Sequence, residues 1–165
     1  LYPLNAYGTS KGLSERVAWQ LADELGLQLS TVRSATIVGA FDHQTFRKFF
    51  DLMMRPPVGI FPACLRVSMV YALDIARAVA TMLVTPEASG KAFNITGDQR
   101  TAWAFLDAWK LAGGRAPTWV LPLPVPVSLR YDLQRARDIL DWRPGSLLRA
   151  CQEIVAAEKA DTLFY

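Results

Sequence analysis

Residues 6–33 constrain the fold most, because they read as one helix followed directly by one strand. Apolar residues recur at helical spacing through Val17, Leu21 and Leu25, and Gly26 stands where a helix stop is expected. Residues 28–33 then alternate and are rich in Leu and Val, which suits a strand entering a sheet. A helix over 6–25 and a strand over 28–33 make half of a β-α-β crossover, and such units build parallel sheets. The fold class expected from this alone is α/β.

The first turns of that helix also propose a chemistry. Tyr7 and Lys11 are four residues apart and share a helix face. A phenol titrates near 10, too high for efficient proton transfer at neutral pH, and a neighbouring ammonium favours the phenolate. Such a pair suits proton transfer coupled to hydride transfer at an alcohol or ketone carbon. Spacing alone is weak support. With five Tyr and five Lys in 165 residues, one such pair arises by chance in roughly one chain in seven. A solvated pair on a helix face is the plain alternative.

The neighbourhood adds more. Residues 33–39 read Arg-Ser-Ala-Thr-Ile-Val-Gly, residues 70–78 Val-Tyr-Ala-Leu-Asp-Ile-Ala-Arg-Ala, and residues 90–97 Gly-Lys-Ala-Phe-Asn-Ile-Thr-Gly. Residues 131–136 read Tyr-Asp-Leu-Gln-Arg-Ala, with Leu-Asp-Trp-Arg-Pro at 140–144. In this order the segments resemble the extended short-chain dehydrogenase/reductase family, the NAD-dependent epimerase/dehydratase group, over nearly the whole chain. The chain departs from the family's Arg-Pro-x-Asn-x-Tyr-Gly-Pro strand end at Ser34, Thr36, Val38 and Ala40.

The resemblance implies the C-terminal portion of a Rossmann-type parallel sheet with a smaller substrate-binding lobe. Residues 1–57 would carry the Tyr-x-x-x-Lys helix in the Rossmann-like part. Residues 58–165 would mainly form the lobe, with 73–96 returning to the sheet. It implies that Tyr7 and Lys11 are catalytic, that Lys11 also bonds the nicotinamide ribose, and that Ser34 and Ala35 border an NAD or NADP cofactor. It places Thr36 at the substrate. Arg66, about one position off register, corresponds to the arginine that holds the diphosphate in nucleotide-sugar members. The activity implied is an NAD(P)-dependent oxidoreductase or epimerase acting on a hydroxyl or ketone of a nucleotide sugar or related small molecule. Two alternatives stand beside it. One is reduction of a hydrophobic ketone of steroid or flavonol type, towards which Arg66 and the apolar run 53–65 lean. The other is a non-catalytic remnant or one half of a two-chain assembly.

That last alternative rests on glycines. None of the ten, at 8, 12, 26, 39, 59, 90, 97, 113, 114 and 145, forms a Gly-x-Gly-x-x-Gly or Gly-x-x-Gly-x-x-Gly cluster. The sequence begins at Leu1 within the motif, and the family's upstream Ser or Thr has no counterpart. The expectation is therefore a fragment lacking the N-terminal strands and glycine-rich turn, with exposed strand edges that favour self-association or a companion chain.

Composition narrows the classes. Apolar content of 52% against 20% charged residues indicates a globular chain. A net charge of +3, with no basic run interleaved with aromatics, argues against nucleic acid. No apolar stretch is long enough to span a bilayer, and no signal peptide is visible. Cys64 and Cys151 are far apart, which favours a reducing, cytoplasmic setting. One histidine, His43, and two distant cysteines supply no metal site.

Further along, helices are expected over 44–54, from about Asp74 to 84, over 101–112 capped by Thr101, and over 133–140 and 147–159. Strands are expected at 58–61, 66–71 and 92–96, and the proline-rich 118–127 as linker or edge. Asp74 reads as a helix cap, Glu15 as a surface partner of Lys11 or a packing residue, and Ser10 as a small helix residue or a neighbour of the acid/base pair. Arg135 and Arg137 read with Asp138 as a solvated face, and the five tryptophans as core or interface anchors. Lacking the glycine-rich turn, the isolated chain is expected to bind NAD(P) weakly or not at all. Micromolar affinity in a calorimetric titration would overturn that expectation.

Overall fold

Local signals set the first helix. In the computed structural model, which describes residues 5–40, 53 and 57–160, helix α1 runs Ala6–Glu24. The Asn5 side chain caps it, accepting from the Gly8 amide at 2.8 Å. At the other end Gly26 takes φ +64°, a conformation glycine adopts without a Cβ penalty. The Gly26 amide then reaches the Asp23 carbonyl and the Leu27 amide the Ala22 carbonyl. These two bonds close the helix as a Schellman motif.

Strand β1 is Thr31–Ser34, starting later than the alternation at 28–33 suggests. The reason is a competing set of hydrogen bonds. Leu29 accepts from the Gly90 amide, and the Ser30 hydroxyl donates to the Ala88 carbonyl. Residues 29 and 30 are thus tied to a turn before the ladder begins. β1 pairs parallel with β5 (Ala92–Ile95), from Thr31 opposite Ala92 to Ser34 opposite Ile95.

After Ala35 the chain switches sheets. β2 (Thr36–Val38) pairs parallel with β4 (Arg66–Tyr71), and β4 pairs antiparallel with β6 (Gln99–Thr101). A separate two-stranded parallel sheet joins β3 (Val58–Pro62) to β7 (Trp119–Leu123). The proline-rich stretch expected as linker or edge thus supplies a strand. It sits in a sheet of only two strands, where the missing amide of Pro122 is tolerated. The short strands β2 and β6 fall outside the sequence reading. The expected helix over 44–54 and His43 lie outside the described residues, Met53 excepted.

The later helices are α2 (Ala72–Val84), α3 (Ala102–Leu111), α4 (Gln134–Leu140) and α5 (Leu147–Lys159). Thr101 caps α3 by accepting from the Ala104 amide at 3.2 Å. Two cores result. One packs Val70 and the β5 residues Phe93 and Ile95 against Ala78 of α2, Leu133, Ala136 and Leu140 around α4, and Trp142. The other joins Met53 and Phe61 to Phe105, Leu106 and Trp109 of α3 and to Cys151, Ile154 and Val155 of α5. Trp109 lies parallel to Phe105, with ring centroids 6.4 Å apart, and its indole N–H donates to the Arg115 carbonyl at 2.9 Å. Gly114 sits so close to this indole that a Cβ there would overlap the ring. Trp103 and Trp119, by contrast, are exposed.

Trp109→Ala should destabilise the chain by about 3–5 kcal/mol through the cavity left behind. Gly114→Ala should cost about 1–3 kcal/mol by overpacking. Urea melts of both variants check the order.

Candidate functional site

The N-terminal half of α1 presents Tyr7 to solvent, with 70% of the residue exposed. The Lys11 ammonium lies over the Tyr7 ring, 5.6 Å from its centroid. That distance is within the range in which a cation is attracted to an aromatic face. Ser10 is not aimed at this pair, because its hydroxyl donates to the Tyr7 carbonyl at 3.0 Å. Ser14 likewise bonds back to the Ser10 carbonyl. Both hydroxyls are thus engaged by the helix backbone.

Glu15 departs from its expected role. Its partner is Arg33 on β1, not Lys11. Arg33 Nε reaches both carboxylate oxygens at 3.0 Å, and Nη2 reaches Oε1 at 2.7 Å. The Trp19 indole N–H lies 3.4 Å from the same oxygen. This two-pronged grip is the strong form of an ion pair. Its hydrogen bonds, Arg33 first, hold the Glu15 carboxyl below its ordinary range against the opposing effect of burial. Eighteen residues separate the partners, with a helix end and a turn between them, so no local spacing rule signals the pair.

Ser34 ends β1 and Thr36 opens β2, with half-buried Ala35 between them. Ser34 and Thr36 are exposed. Thr36 pairs with Met69 on β4. Arg66 stands three residues before Met69, roughly 10 Å away along the strand. Its backbone is held by the Val127 carbonyl and the Leu129 amide. Its exposed side chain has no hydrogen bond or ion pair among the described residues.

Asp74 is a second correction. It lies at the third position of α2, and the residue preceding the helix, Tyr71, makes no side-chain cap. The buried carboxylate instead accepts from the Gly145 amide at 3.0 Å and from Arg77 at 3.0 Å. Arg135, Arg137 and Asp138 are all exposed, as expected of a solvated face, and Arg135 also donates to the Ala92 carbonyl at 3.0 Å. Beside Asp74, the Tyr71 hydroxyl donates to Glu153. Burial first, and then the adjacent Glu153 carboxylate, push the Tyr71 phenol up to about 12. Burial also raises the Cys151 thiol to about 12, so it packs as an inert apolar group.

Clefts are formed by described residues. One, of about 500 Å³, is lined by Val38, Met69, Tyr71, Asp74, Arg100 and Gly145 among others. A smaller one, of about 290 Å³, includes Ser68, Thr96, Gln99, Arg130 and Arg137. Neither is lined by Tyr7, Lys11, Ser34, Ala35, Thr36 or Arg66. Tyr7 and Lys11 meet on one helix face, and Ser34, Ala35 and Thr36 meet at one strand junction. Tyr7, Ser34 and Thr36 carry hydroxyls and Lys11 an ammonium, groups able to hydrogen-bond the hydroxyls or amide of a ligand. Among the described residues no strand, glycine-rich turn and helix combine to cradle a pyrophosphate. No three His, Cys, Asp or Glu among the described residues come together as a metal site. No described helix is long and apolar enough to cross a membrane.

Residues 1–96 match the family described as "NAD dependent epimerase/dehydratase family". The fold is similar to that of UDP-glucuronic acid 4-epimerase from Bacillus cereus, solved with NAD. The TM-score is 0.72 at 20% identity, over 96% of this chain and 54% of that one. The UDP-glucose 4-epimerase of Thermotoga maritima, solved with UDP-glucose, gives a TM-score of 0.75 at 21% identity over 98% and 55%. RMD from Pseudomonas aeruginosa, complexed with NADPH, gives 0.77 at 15% over 96% and 57%. The chain thus spans a little over half the length of these structures. No curated protein matches it.

The Glu15–Arg33 pair should leave a pH signature. The folded value of Glu15 lies below its ordinary 4.5. Its contribution is therefore complete well above pH 4.5 and is lost as pH falls through the lowered value. Glu15→Gln should cost about 1–2 kcal/mol at neutral pH, reduced by the partial exposure of Arg33. Thermal melts should show the gap from the parent chain closing as pH drops below 4.5.

Proposed function

Since this chain belongs to the NAD dependent epimerase/dehydratase family, we propose that it supplies the proton-transfer machinery of an NAD(P)-dependent reaction. The substrate would be a nucleotide sugar or related small molecule, reacting at a hydroxyl or ketone carbon. The observation that carries this is the Lys11 ammonium held over the exposed Tyr7 ring at the capped start of α1. Tyr7 takes the proton from a substrate hydroxyl, or returns it to a carbonyl oxygen, as a general base or acid. Lys11 offsets negative charge as it develops on the phenol oxygen and donates to a ribose hydroxyl. When bound, the nicotinamide supplies the hydride exchange. Ser34 and Ala35 border it, and Thr36 borders the substrate.

Arg66 is the cation for a diphosphate. Its side chain is uncommitted among the described residues, and its distance from Thr36 along β4 suits an extended nucleotide diphosphate. Reduction of an apolar ketone remains the competing activity, favoured by the exposed apolar side chains of Val58 and Ile60. Turnover of sugar nucleotides against bulky ketones separates the two. The outward Leu13, Val17 and Leu21 of α1 are exposed, and β1 has one edge unpaired among the described residues. Both features support burial of this face by further polypeptide that carries additional parallel strands and a pyrophosphate-binding turn, or by a second copy.

Tyr7→Phe tests the proposal. Turnover, followed by product formation in the whole protein, should fall about 10²- to 10⁴-fold. The melting temperature should stay unchanged, because the lost hydroxyl belongs to an exposed residue. Undiminished turnover overturns the assignment.

A further inference from the structure

Helix α1 is held to the rest of the chain in an unusual way. Of its nineteen residues only Ala22, near its C-terminal end, is buried. Packing therefore does little to orient the N-terminal half, where Tyr7 and Lys11 lie. Among the described residues, the tie that reaches the sheet is Glu15, gripped by Arg33 through three N–H···O contacts of 2.7–3.0 Å. The carboxylate side chain is 12% exposed and the guanidinium 37%.

The position of this grip is informative. Tyr7, Lys11, Glu15 and Trp19 follow one another at intervals of four and form one stripe along the helix. Arg33 immediately precedes Ser34 on β1, and by strand alternation it faces away from Val32, which packs into a core. Helix and strand are joined by a short turn at residues 25–30, so they run in opposite directions past the grip. Distances along the two can then be matched from Glu15 and Arg33 outward. Lys11 lies about 6 Å from Glu15 along the helix axis and Tyr7 about 12 Å. At about 3.3 Å per strand residue, those distances correspond to Ala35 and to Thr36–Ile37.

We propose that Glu15 and Arg33 are positioning residues. Their ion pair sets where the stripe carrying Lys11 and Tyr7 lies along the strand end at residues 35–37, so that the proton-transfer pair is delivered to the strand junction. This inference rests on the acid/base reading of Tyr7 and Lys11. The clamp touches neither substrate nor cofactor and acts through the helix it holds. Its two-pronged form matters, because a single charge contact would leave the helix free to rotate about it.

The test compares Glu15→Gln, Arg33→Lys and Tyr7→Phe in the whole protein, assayed well below the melting temperature of each variant. Misplacing a catalytic group by about 1 Å costs on the order of 10²-fold. Glu15→Gln and Arg33→Lys should each therefore lower kcat about 10- to 100-fold, with KM for substrate and cofactor within about twofold. Arg33→Lys keeps the charge but loses the fork, so a purely structural ion pair would leave its kcat near that of the parent. If both variants melt lower but turn over normally, the clamp is refuted. An equal rise in KM would also refute it, by pointing to loosened binding. Should Glu15→Gln fail to fold, Arg33→Lys decides by the same measurement. Full activity in Tyr7→Phe removes the acid/base reading and the clamp with it. An inactive Tyr7→Phe beside fully active clamp variants removes the clamp alone.

Discussion

The parallel ladder between Thr31–Ser34 and Ala92–Ile95 is the contact on which most of the architecture depends. It joins segments some sixty residues apart and gives the sheet two faces with different occupants. Phe93, Ile95 and Val32 enter the core formed with α2 and α4. Arg33, one residue from Val32, is delivered by the pleat to the opposite side, where it finds Glu15. The ladder therefore does more than pair backbones. It decides that a guanidinium meets α1 and that the strand ends where Ser34, Ala35 and Thr36 hand over to a second sheet.

Legibility in the sequence tracks the range of the interactions involved. The ends of α1 are readable because Asn5 and Gly26 act within a few residues of themselves. Thr101 is readable as the cap of α3 for the same reason. The family resemblance, carried by segments in the right order, extends the reading to the parallel α/β fold. The features that escape it are non-local. Strands β2 and β6 are three residues each and exist only because β4 lies between them. Glu15 has Lys11 one helical turn away, which makes that pairing plausible, yet a guanidinium eighteen residues on offers five donors in a fork. Asp74 stands in the first turn of α2, where a capping role is the local expectation. The Gly145 amide, seventy-one residues later, takes its carboxylate instead.

Two polar ties near Asp74 show how the second half of the chain is attached to the first. The Asp74 carboxylate accepts from Gly145, just ahead of α5, and Glu153 on α5 receives the Tyr71 hydroxyl. Gly145 is needed there because any Cβ would overlap the carboxylate. The Trp142 indole adds a bond to the Thr96 carbonyl at 3.1 Å. Helix α5 thereby joins β4 and α2 on its polar side, while Cys151, Ile154 and Val155 enter the core shared with α3. Both sides of α5 are engaged, whereas among the described residues α1 is fastened mainly through one ion pair.

The long span of the β1–β5 ladder has a consequence for how the chain folds. Val32 reaches its packed environment only after Phe93 has arrived beside it and Leu140 and Trp142 have closed over the far side. Among the described residues, its partners lie from about sixty to more than a hundred positions further along the chain. Loop-closure entropy opposes each of those joins before any burial repays it. Helix α1, complete within its own caps, is by contrast specified by local signals alone.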